Sequence, residues 1–187
     1  MVYWTKWDLL TPRSPGWRDR SFSSTSWSWA YGISTTTNGT VYYSSLAGNY
    51  VARIDLESGN SSVLEPPTAD QGARRVWPDS QGRIWVSEWN AGKLAVYNPI
   101  TREWKEWRLS GENPMPYAVY VDENDMVWLS DFEANALMRF SPPDEMFKVF
   151  ALSSSEANVR QISGRPGERW GAESGTDKLV VITRGTP

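Results

Sequence analysis

Gly82-Arg83-Ile84-Trp85-Val86-Ser87-Glu88-Trp89 recurs as Asp125-Met126-Val127-Trp128-Leu129-Ser130-Asp131-Phe132, 43 residues further along the chain. One step earlier stands Gly39-Thr40-Val41-Tyr42-Tyr43-Ser44-Ser45-Leu46. A later copy, Gly167-Glu168-Arg169-Trp170-Gly171-Ala172-Glu173-Ser174, begins 42 residues after Asp125. Each copy is a short apolar and aromatic run behind a turn. A period of roughly 40–45 residues built from short strands is the mark of propeller blades. Four copies predict four blades, and helical periodicity is absent, so the fold class is all-β.

The flanking residues fill in each blade. Around the second copy, Arg75–Pro78 reads as a first strand and Asp79-Ser80-Gln81-Gly82 as a turn. Arg83–Ser87 is a second strand and Lys93–Tyr97 a third. Glu103-Trp104-Lys105-Glu106-Trp107-Arg108-Leu109 alternates polar and apolar, as a half-exposed outer strand does. The copies before and after repeat the scheme, with Asn38-Gly39 a strong hairpin signal. The predicted blades span residues 29–67, 72–110, 115–152 and 159–183 of one β-propeller domain, each designed on four antiparallel strands. The last copy stops after three, at Thr183. Tyr3-Trp4-Thr5-Lys6-Trp7-Asp8-Leu9 matches the outer-strand pattern with no blade before it, so residues 3–10 are expected to complete the last blade and protect its edge. Residues 11–28 form an insertion loop, a candidate cover for the top face. The ring closes either as four blades within one chain or as eight blades in a homodimer that exchanges the end strand.

Composition narrows the chemistry. The 187 residues carry a net charge of −3, with a pI near 5.1 and no basic run. Nucleic acid and an anionic membrane surface are therefore not the expected partners. No apolar stretch reaches the length of a transmembrane helix. The start, Met1–Trp7, lacks the apolar core of a secretory signal, which points to the cytoplasm. The chain has no cysteine and no histidine. It thus lacks the commonest general base and the commonest transition-metal ligand. The 12 tryptophans suit the seams between stacked blades, and Tyr42, Trp85, Trp128 and Trp170 form one equivalent column of inter-blade core.

Gly82–Leu94, Asp125–Leu137 and Trp170–Leu179 resemble the blade signature of the virginiamycin B lyase (streptogramin lyase) family, and the likeness extends over roughly Gly32–Thr183. The resemblance implies a seven-bladed ring about twice this length, opening the ester linkage of a cyclic depsipeptide by elimination with a magnesium ion and a histidine base. This chain departs from that pattern in blade number and in having no histidine. Where Glu88-Trp89-Asn90 stands near a blade top, the Asn90 amide cannot act as a base. Lyase activity of the familiar kind is therefore not expected, and no catalytic residue is assigned.

Candidate site residues are read off the repeat. The ends of the second strands place Ser45, Glu88, Asp131 and Glu173 on one face. Three carboxylates converging there would raise one another's pKa or hold a cation, for which Mg²⁺ or Ca²⁺ is the natural choice. Alternatively each carboxylate hydrogen-bonds neighbouring backbone or points into a water-filled channel. The starts of the first strands bring Tyr31, Arg74, Arg75, Tyr117 and Arg160 to the same face, where with Asn90 they could hold an anionic or aromatic small molecule. The competing account has Arg75 and Arg160 neutralising Glu88, Asp131 and Glu173. Asp122-Glu123-Asn124-Asp125 resembles part of a calcium loop but falls where an ordinary hairpin turn belongs. Asn38-Gly39-Thr40 and Asn60-Ser61-Ser62 match the glycosylation pattern and also sit at turns. The functional expectation is a propeller that binds a small molecule, with or without a divalent metal, on its top face. The alternatives are a protein-interaction platform and a truncated, inactive relative of the lyases.

Overall fold

The computed structural model describes residues 30–183. Fifteen strands, β1 to β15, follow one another without a helix among them. Blade 1 is β1 (Ala30–Thr35), β2 (Val41–Ser45), β3 (Tyr50–Ile54) and β4 (Ser61–Leu64). Blade 2 is β5 (Ala73–Pro78), β6 (Ile84–Glu88), β7 (Lys93–Asn98) and β8 (Glu103–Arg108). Blade 3 is β9 (Pro116–Val121), β10 (Val127–Asp131), β11 (Ala136–Ser141) and β12 (Met146–Ala151). Blade 4 has three strands, β13 (Val159–Arg165), β14 (Glu168–Glu173) and β15 (Lys178–Thr183). Every sheet is an antiparallel meander in chain order. The result is an all-β propeller of four blades arranged in a ring, as the period predicts. The expected outer strand at 3–10 and the loop at 11–28 lie outside the described residues.

Alternation along the strands builds the seams. Each blade turns an aromatic of its second strand toward the next blade, which answers with an aliphatic residue of its first strand. Tyr42 and Val51 of blade 1 share a core with Val76 and Val86 of blade 2. Trp85 and Leu94 meet Val119 and Leu129, and Trp128 and Leu137 meet Val159 and Ile162. The fourth blade and the first form no comparable seam. Trp170, expected in the same buried column, is 40% exposed for that reason.

At the bottom of the ring, the hairpin between first and second strands is pinned by one aspartate. Asp79 Oδ1 accepts the Gln81 and Arg83 amides, while its Oδ2 accepts the Trp85 indole N–H at 2.9 Å and Arg83 Nε at 2.6 Å. Asp122 repeats the pattern: the Asn124 and Met126 amides bond one oxygen, the Trp128 indole and Arg169 the other. Asp122-Glu123-Asn124-Asp125 is therefore a hairpin turn and not a calcium loop. Asp125, at φ 56°, takes the left-handed position that Gly82 fills in blade 2 at φ 76°.

Candidate functional site on the top rim

The top rim is shaped by an irregularity that recurs in every blade. The pairing of first with second strand slips between Ala30 and Gly32, between Ala73 and Arg75, between Leu129 and Asp131, and between Val159 and Ile162. The bulge frees one residue from the ladder and re-aims its side chain. A serine of the second strand holds the turn. Ser44 accepts the Gly32 amide at 3.0 Å and donates to the Arg74 carbonyl of the next blade at 2.7 Å. Ser87 does the same between the Arg75 amide and the Tyr117 carbonyl, at 3.1 and 2.7 Å, and Ser130 accepts from Ala118 at 2.9 Å. Each hydroxyl thereby fixes its own bulge, and the first two also latch the neighbouring blade.

Tyr31, Arg74, Tyr117 and Arg160 occupy the freed positions, 43 residues apart, so tyrosine and arginine alternate around the rim. Tyr117 is the hub. The guanidinium carbons of Arg74, Arg75 and Arg160 lie 3.8, 5.8 and 5.9 Å from its ring centroid. Arg74 is held among three rings, 4.2 Å from that of Trp89 and 4.9 Å from that of Tyr31. Its Nη2 donates to the Tyr31 hydroxyl at 3.2 Å, and the two tyrosine hydroxyls hydrogen-bond each other. Phe132 stacks on Tyr117 at 4.8 Å, and Trp89 meets both rings edge-on.

The cluster is rich in positive charge and poor in its complement. No ion pair among the described residues involves Arg74, Arg75 or Arg160. The Nε atoms of Arg74 and Arg75 are buried without a hydrogen-bond partner. Burial raises the Tyr117 pKa, but the hydrogen bonds to Tyr31 and Arg74 and the arginine charges outweigh it, so the net shift is downward. The expected neutralisation of Arg75 and Arg160 by Glu88, Asp131 and Glu173 is thus not what the structure shows.

Those carboxylates are placed elsewhere. They end second strands, one strand out from the axis, and strand alternation turns them to the face opposite the latching serines. Asp131 Oδ1 accepts the amides of Met115 and Glu133 at 2.9 and 3.0 Å, closing loops of its own blade. Glu173 accepts from the Thr176 hydroxyl at 2.7 Å, and Ser45 accepts the Gly48 amide. Glu88 is fully buried with neither oxygen hydrogen-bonded. Burial above all, then the Glu106 charge, raises its pKa to about 8 against the opposing pull of Lys93. Among the described residues no three carboxylates come together as a metal-binding group. Glu88, Asp131 and Glu173 therefore do not fit the Mg²⁺ or Ca²⁺ site read from the repeat. Asn90 also stands apart: its side chain donates to the Asp70 carbonyl at 3.1 Å and packs on Gly72. The channel between the first strands, lined by Arg75, Val119, Arg160 and Ile162 among others, holds a cavity of about 50 Å³. That is too small for an organic ligand, so the accessible feature is the rim.

No protein-family model matches the chain, and no curated protein matches it. Solved structures do. Virginiamycin B lyase from Staphylococcus aureus is similar at a TM-score of 0.71 and 21% identity, covering 84% of this chain and 56% of that one. Its catalytically inactive histidine-to-alanine form, solved with quinupristin, gives a TM-score of 0.73 at 20% identity, covering 86% and 57%. A periplasmic gluconolactonase of Pseudomonas aeruginosa gives 0.66 at 13% identity, covering 84% and 50%. The chain is a β-propeller of the same kind as these proteins, and it spans little more than half the length of the lyases. No helix among the described residues is long and apolar enough to cross a membrane. The cytoplasmic location expected from the sequence gains no support from this group, which includes a periplasmic protein.

Proposed function

We propose that the top rim is a recognition site for a small organic anion, a carboxylate carried on an aromatic or otherwise flat apolar body. The observation that carries the reading is three guanidinium groups within 6 Å of one tyrosine ring with no carboxylate among the described residues paired to any of them. Arginine presents a planar fork of donors that matches a carboxylate. Tyr31, Trp89, Tyr117 and Phe132 supply flat apolar surface beside it. The reading does not include depsipeptide cleavage by a histidine base. The lyase neighbour whose histidine has become alanine is described as catalytically inactive, and this chain has no histidine.

Calorimetric titration with an aromatic carboxylate and with its methyl ester tests the proposal. The acid should bind and the ester should not, and Arg74→Ala should weaken the acid at least tenfold, or about 1.4 kcal/mol. Equal binding of acid and ester, or an Arg74→Ala protein that binds as well as the parent, would overturn it.

A further inference from the structure

The two ends of the blade series carry matching halves of one seam. In the first strands, Ile33, Val76, Val119 and Ile162 hold equivalent positions 43 residues apart. The last three are buried against the preceding blade, whereas Ile33 is 70% exposed. In the third strands, Val51, Leu94 and Leu137 are buried against the following blade. Leu179, their counterpart, is 71% exposed beside the half-exposed Trp170 and Val181. Among the described residues, blade 1 thus offers an aliphatic knob with no socket, and blade 4 an aromatic and aliphatic socket with no knob. The chain makes this knob-in-socket seam three times internally, and both ends continue it.

We infer that the occupant is a second copy of this chain, joined head to tail so that blade 4 of each packs on blade 1 of the other in a ring of eight blades. The blade count supports this. The four blades cover 54 to 57% of larger single-chain propellers, and two copies supply eight blades, a number that known propeller rings reach with about 45° between neighbours. A head-to-tail interface that closes after two steps gives a discrete dimer, whereas one that fails to close gives filaments. Ala172 stands where Ser44, Ser87 and Ser130 stand in the other blades, so the end seam lacks the hydroxyl latch that Ser44 and Ser87 give the first two seams. The site proposed above is extended by the same step. Tyr31 of the second copy would follow Arg160, and the alternation of tyrosine and arginine would run unbroken around the rim.

The test is solution mass by light scattering on the full chain, with two charge variants at exposed positions. The unmodified chain should have twice the mass of one chain. Ile33→Asp and Leu179→Lys should each halve that mass while keeping the β-sheet circular dichroism. An equal mixture of the two should recover the dimer. In the mixed ring one seam is native and the other places Asp against Lys, an outcome that a symmetric Ile33-to-Ile33 contact does not give. A single-chain mass for the unmodified protein at tens of micromolar, a mass above two chains, or variants that stay dimeric would each overturn the inference. None of these readings depends on ligand binding, so failure here leaves the rim proposal standing.

Discussion

The bottom and the top of the ring are built from the same repeat and treat charge in opposite ways. At the bottom, Asp79 and Asp122 are each enclosed by two amides, an indole N–H and an arginine. Ser80 of blade 2 is tied across the seam to Asp125 of blade 3. At the top, Arg74, Arg75 and Arg160 gather round Tyr117 with no carboxylate of the described residues paired to them. A buried polar group that finds its partners stabilises a fold, and one held short of partners lowers stability. The bottom is therefore scaffold. The top withholds from its arginines the partners that an incoming anion could provide.

The sharpest way to break this contrast is to remove a bottom carboxylate. Burial pushes the Asp122 pKa up, but the hydrogen bonds from Arg169 and Trp128 and the amides of the turn prevail, leaving it below the usual range. Asp122→Ala strands a buried indole N–H and leaves the buried Arg169 guanidinium with Glu123 as its one remaining carboxylate among the described residues. It should destabilise the protein by about 3–5 kcal/mol in denaturant titration. A loss under 1 kcal/mol would mean that the bottom pairs are as dispensable as the top rim's arginines are expected to be.

Glu88 is the one carboxylate at the top whose burial has a calculable consequence. Its pKa is raised from 4.5 to about 8 in the folded chain. Between those values the folded state holds a proton that the unfolded state has lost. Stability contributed by this group is present below pH 4.5 and declines as pH rises toward 8, with a slope of up to about 1.4 kcal/mol per pH unit. Glu88→Gln should flatten that slope and raise stability at pH 8. Denaturation midpoints at pH 5, 6.5 and 8 for both proteins decide the matter, and parallel profiles would refute the buried neutral acid.

Ser87→Ala probes a smaller effect, the latch between blades 2 and 3. It removes the acceptor for the Arg75 amide and the donor to the Tyr117 carbonyl, which should lower stability by about 1–3 kcal/mol. Because the same hydroxyl holds the bulge that aims Arg74 and Tyr117, anion affinity should fall with it.

The architecture was legible because its signal is periodic: strand, turn and aromatic recur every 42 or 43 residues, and one misread copy is outvoted by the others. Errors arose where a single position decides. First strands begin two residues earlier than read, at Ala30, Ala73 and Pro116, because a bulge interrupts the alternation that marks a strand. The repeat alone places Glu88, Asp131 and Glu173 at the axis, but one step of alternation past the serines turns them into the blade. Trp170 looked like its counterparts in sequence and differs only because no described blade follows it. The rim residues Tyr31, Arg74, Arg75, Tyr117 and Arg160 were recognised and are brought together. Trp89 and Phe132 join the same cluster, and the signal for them is that both stand directly after the carboxylate of their repeat, an aromatic pair 43 residues apart.

The smallest expected effect bears most directly on the contrast. Arg74→Ala removes three contacts with aromatic rings, each about 0.5–2 kcal/mol depending on solvation, and the hydrogen bond to Tyr31. It also removes one of three like charges and a buried Nε that has no partner, and both of these act the other way. The opposing changes should leave stability within about 1 kcal/mol of the parent, while anion affinity drops at least tenfold. The same substitution should let the Tyr117 pKa rise toward its ordinary value, since Arg74 contributes both a hydrogen bond and a charge to the downward shift. Ultraviolet titration of the tyrosines in parent and variant reads that change without any ligand. A variant that loses several kcal/mol of stability would place Arg74 with the scaffold, and the top rim would then differ from the bottom only in the kind of partner its charges find.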